Sequence, residues 1–95
     1  MKNTKSYVII FAKDEKGEDV KYRFVLSISK PIKSVEQRLL EALMSTDGID
    51  RMEIMGRYTA EVVIGRAFDA EEVLASLTPK IEAVLSDIVI PKLVV

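Results

Sequence analysis

The sequence contains no cysteine, no histidine and no tryptophan. Disulfides, thiolate zinc sites, iron–sulfur clusters and any reaction that needs a Cys nucleophile or a His base are therefore excluded. Asparagine and glutamine occur once each, as Asn3 and Gln37. An excess of either charge is also missing: 14 Lys and Arg face 15 Asp and Glu, a formal net charge of -1. A general nucleic-acid binder would show a marked basic excess. Long apolar runs are lacking too. After Met1–Ser6 only six apolar residues, Tyr7 to Ala12, precede Lys13. That is too few for the apolar region of a signal peptide or for a bilayer span. The expectation is a soluble cytoplasmic chain with no membrane partner.

What is present is a core-forming composition in a short chain. With 95 residues, 48% of them hydrophobic, one domain is expected, and its core has little to spare. Val and Ile supply 21 residues, and the polar residues are mainly Lys, Glu, Arg and Asp. Scarce amides beside abundant Lys and Glu make the composition thermophile-like.

Tyr7-Val8-Ile9-Ile10-Phe11-Ala12 is a β-branched and aromatic run, which predicts a strand. A polar stretch with Gly17 follows, then a clear alternation in which Val20, Tyr22, Phe24, Leu26 and Ile28 share one parity. That pattern predicts a second strand with one buried face, joined to the first by a hairpin. Pro31 stops it. Ser34 and Gln37 form a capping box, and Val35, Leu39, Ala42 and Leu43 recur at helical spacing, which predicts a helix over 34–46 closed by Gly48. Arg51–Met55 alternates again, Gly56-Arg57 reads as a tight turn, and Tyr58, Ala60, Val62 and Ile64 share a buried parity. Asp69 with Glu72 is a second capping box. The apolar period from Val73 to Leu85 runs through Pro79, which predicts either one helix kinked there or, the preferred reading, two near-collinear helical pieces with Thr78 capping the second. Ile88–Val95 reads as a final strand.

The order is ββαββαβ, an α+β two-layer sandwich with a mostly antiparallel sheet and both helices on one face. Its last six elements match the βαββαβ order of a ferredoxin-like sandwich, with an extra N-terminal strand in front. The N-terminal hairpin then competes with the final strand for the place beside the second strand, so the strand order is open.

The residue types limit the chemistry. There is no P-loop and no dinucleotide fingerprint, because Gly17, Gly48, Gly56 and Gly65 stand apart as turn or cap residues. Nearly every carboxylate falls in a loop or on a polar helix face. An enzyme ranks below a binding module, and no cofactor or metal is expected. The cluster Asp14, Glu15, Glu18 and Asp19 is interleaved with Lys13, Lys16 and Lys21, and reads as a solvated hairpin turn rather than a cation site.

Sidedness carries the functional expectation. Tyr22, Phe24 and Tyr58 share the parity assigned to the helices, which removes the exposed stacking rings of an RNA-reading sheet and makes a nucleic-acid partner unlikely on sequence grounds. The first strand is apolar on both faces. Val8, Ile10, Val25, Met55 and Val63 fall on the outward parity and form a candidate interface for self-association or a protein partner. The predicted layout also gathers positive charge at one end of the sheet, with Lys30, Lys33 and Ser34 leading into the first helix and Arg57 in a turn. These four are candidates for binding a small anion, a phosphate or a carboxylate. The leading expectation is a non-enzymatic interaction or regulatory module that associates through its sheet. The alternative is a binder of a small anionic ligand at the first helix.

Overall fold

A computed structural model describes residues 7–86. The strand predicted over 88–95 lies outside the described residues. Four strands and two helices follow in the order β1 (Tyr7–Lys13), β2 (Asp19–Ile28), a 3₁₀ helix (Ile32–Ser34), α1 (Glu36–Met44), β3 (Ile49–Ile54), β4 (Thr59–Ile64) and α2 (Ala70–Leu85). The strands form one antiparallel sheet in the order β1-β2-β4-β3. The place beside β2 that was contested in the sequence belongs to β1.

Alternation builds the core. Phe24, Leu26 and Ile28 of β2 and Ala60, Val62 and Ile64 of β4 point to one face and are buried. They meet Val35, Leu39 and Leu43 at α1 and Val73, Leu77, Ile81, Val84 and Leu85 of α2 in a single cluster, so both helices cover the same face. Burial of a side chain of this size is worth about 1.5–3 kcal/mol each, which makes this cluster the main source of stability.

Three local expectations need correction. First, Ser34 does not cap α1. The 3₁₀ turn after Pro31 turns its hydroxyl back onto the Pro31 carbonyl at 2.6 Å, and Val35 stands at the N-cap without a side-chain bond. The helix accordingly starts at Glu36 and ends at Met44. Second, α2 runs unbroken through Pro79. Thr78 does not cap a new helix: its hydroxyl donates to the Leu74 carbonyl at 2.7 Å, the back-bond a helical threonine makes. Third, Tyr22 and Tyr58 are 41% and 44% exposed. The helical layer covers Phe24 but not Tyr22. There β1 jumps from pairing Phe24 to pairing Val20, which leaves Lys21–Arg23 without β1 partners. Tyr58 sits in the turn before β4.

Other turns follow the sequence. Gly17 and Gly48 take positive φ, 83° and 100°. Asp69 caps α2, accepting from the Glu72 backbone N–H at 3.3 Å. Lys80 on α2 closes the far end of α1, donating from Nζ to the Ser45 carbonyl at 2.8 Å and to Thr46 Oγ1 at 3.0 Å. A cation there suits the negative end of the helix dipole.

Candidate functional site

Two surfaces hold the residues singled out from the sequence. The first is the open face of the sheet. Alternation in β1 sends Tyr7, Ile9 and Phe11 toward the helices and leaves Val8 and Ile10 on the other side, 54% and 57% exposed. Antiparallel pairing sets Ile10 opposite Val25 and Val8 opposite Ser27, so Val8, Ile10 and half-buried Val25 form one apolar patch. Across β4 and β3 the same face turns charged. Val25 is followed by Glu61 and Glu53 in one row, and Arg23, Val63 and Arg51 form the next. Arg23 pairs with Glu61 at 3.7 Å, and Arg51 Nε with Glu53 at 3.2 Å. Val63 thus stands between two arginines and touches the apolar patch only on the diagonal. Met55, 59% exposed, lies past the end of β3 and away from it.

The second surface is at one end of the sheet. Because β4 lies antiparallel between β2 and β3, those two strands run in the same direction and finish at the same end of the sheet, one on either side of β4. The segment after β2 therefore meets the β3–β4 turn. The Ile28 N–H donates to the Tyr58 carbonyl at 2.9 Å, and the Ile32 N–H to the Arg57 carbonyl at 2.7 Å. Between them lies a groove of about 440 Å³ lined by Pro31, Lys33, Ile54, Met55, Gly56 and Arg57. Lys33 and Arg57 are exposed, and neither has an ion-pair partner among the described residues. The Arg57 guanidinium lies 5.8 Å from the Tyr58 ring centroid, within reach of a cation–π contact.

Of the four anion-site candidates, Lys33 and Arg57 come together in this groove. Lys30 and Ser34 do not line it. Pro31, Ile54 and Gly56 were missed, although an apolar Ile54-Met55 pair running into a glycine turn was a legible signal, since such turns are ordinarily polar.

Several of the other polar groups have structural duties. Asp14 Oδ1 accepts from the backbone N–H groups of Lys16 and Glu18 at 2.9 and 2.8 Å, and Lys13 pairs with Asp19, so the acidic hairpin is held by its own carboxylates. Among the described residues no group of three or more Asp and Glu is placed to hold a metal ion. The Tyr7 hydroxyl donates to Glu82 on α2 at 3.1 Å. Burial, reinforced by that carboxylate, raises the Tyr7 pKa above its ordinary value. Among the described residues no helix is long and apolar enough to cross a membrane. No protein-family model, curated protein or solved structure matches this chain.

Proposed function

We propose that this protein is a non-enzymatic association module whose open sheet face docks a second copy of the chain. The observation that carries the reading is the pair Val8 and Ile10, more than half exposed on a strand whose other side enters the core. Apolar groups in contiguous exposed positions mark association surfaces. The charge pattern favours a copy of the same chain over an unrelated partner. A two-fold interface must be self-complementary. On this face a row carrying Arg23 and Arg51 lies next to a row carrying Glu61 and Glu53. Those arginines and glutamates already pair within the chain, Arg23 with Glu61 and Arg51 with Glu53, so a second copy brings no net like charge against this face. The fold reading goes with it: β2, α1, β3 and β4 have the arrangement of a split βαβ unit, and we read the chain as a ferredoxin-like variant with β1 added beside β2. Sedimentation velocity across micromolar concentrations tests the association. A monomer–dimer equilibrium is expected, and a monomer throughout overturns it.

A second reading has its own observation, the meeting of Lys33 and Arg57 in one groove. On that reading the module binds an anionic ligand at the end of the sheet. Chemical-shift titration with inorganic phosphate tests it at the amides of Lys33 and Arg57, and silence there counts against it.

A further inference from the structure

The chemistry of the end groove narrows the ligand. Its walls are preformed, because main-chain bonds from Ile28 to Tyr58 and from Ile32 to Arg57 tie the two lining segments together. The β3–β4 turn closes on itself as well, with the Met55 and Gly56 N–H groups both donating to the Thr59 carbonyl, at 3.0 and 3.2 Å. A ligand entering here orders little chain, which keeps the entropic cost of binding low. Pro31, Ile54 and Met55 give the groove an apolar surface, and Ile54 and Met55 remain exposed. The charged groups among its described lining residues are two cations, Lys33 and Arg57, with no carboxylate beside them.

An inorganic anion would engage those cations and leave the apolar surface in water. A neutral apolar molecule would cover that surface and leave the cations idle. We infer that the groove binds an organic carboxylate with an apolar body, its head group between Lys33 and Arg57 and its body on Pro31, Ile54 and Met55. Arg57 supplies the planar fork that matches a carboxylate in bidentate fashion, and Tyr58 backs its guanidinium. A volume of about 440 Å³ falls within the range of small-molecule pockets. This inference rests on the anion-binding reading and specifies its ligand class.

The test is an amide chemical-shift titration of the full chain with three probes: sodium hexanoate, 1-hexanol and sodium phosphate. Hexanoate is expected to move the amides of Lys33, Met55, Gly56 and Arg57 at concentrations at least tenfold below those at which phosphate or hexanol does so. In the double variant Lys33→Gln/Arg57→Gln that advantage over hexanol disappears. In Met55→Gln the hexanoate response weakens and the phosphate response stays. Both variants change exposed side chains, so the spectrum keeps its native dispersion. If phosphate matches hexanoate, the amphipathic ligand class is overturned and anion binding survives. If hexanol matches hexanoate, or no probe moves these amides, both fall.

Discussion

The backbone N–H of Ile32 donates to the carbonyl of Arg57 at 2.7 Å, joining the 3₁₀ helix to a turn that lies 25 residues further along the chain. This contact exists because β4 inserts between β2 and β3 and makes those two strands finish at the same end. The main chain carries the tie, so the Arg57 side chain is free to serve a ligand. Arg57→Gln is accordingly expected to change the stability by no more than about 0.5 kcal/mol, the usual range for an exposed position. The midpoint of urea unfolding checks this.

The two helix starts respond differently to loss of their hydroxyl or carboxyl groups. Asp69→Ala removes an N-cap acceptor from α2 and is expected to cost about 0.5–2 kcal/mol. Ser34→Ala removes only a bond from an exposed hydroxyl to the Pro31 carbonyl, and leaves the urea midpoint nearly unchanged. Equal losses in the two variants would restore Ser34 as the cap of α1.

Gly17 and Gly48 both hold a left-handed backbone, and only one of them is crowded. A Cβ on Gly17 meets nothing within 4 Å, so Gly17→Ala carries the conformational strain alone, about 1–2 kcal/mol. A Cβ on Gly48 would lie 2.6 Å from Val73 Cγ2 and 3.0 Å from the Phe68 ring, so Gly48→Ala also has to displace those two packed side chains. Denaturant unfolding is expected to show the larger loss at Gly48.

Alkaline pH weakens the fold through Tyr7. Its pKa is raised in the folded state, first by burial and then by Glu82, from an ordinary value of 10.0. The unfolded chain therefore releases this proton more readily than the folded one. The corresponding stability is fully present below pH 10.0 and is lost as pH rises through that value toward the folded pKa. Tyr7→Phe is expected to show a shallower decline than the wild type over this range in parallel urea titrations. Identical slopes would contradict the assignment.

The elements that local pattern alone decides were legible. Phe24, Leu26 and Ile28 alternate onto the core, Asp69 caps its helix, and Gly17 and Gly48 take the positive φ their turns require. The misses arise where a local signal competes with a tertiary one. The Ser34 hydroxyl had a nearer acceptor in the 3₁₀ turn at Pro31. Pro79 interrupts the hydrogen-bond ladder on the exposed side of α2, while Leu77 and Ile81 on either side of it stay buried, and that packing holds the helix together. Tyr22 kept its parity and lost its cover, because the β1–β2 irregularity and the reach of the helical layer cannot be read from alternation. Half of the anion-site candidates converged for a related reason. The meeting of Lys33 with Arg57 depends on strand order, a non-local property that only the assembled sheet displays.

Association through the open sheet face is tested most directly by isotope-filtered NOE spectroscopy on an equal mixture of ¹³C-labelled and unlabelled chains. Contacts between copies are expected from the methyl groups of Val8, Ile10 and Val25, and Ile10→Glu should abolish them while the core signals of Phe24 and Leu26 stay in place. Absence of these contacts at concentrations where the wild type sediments as a dimer, or their appearance only at other surfaces, would contradict docking through this face.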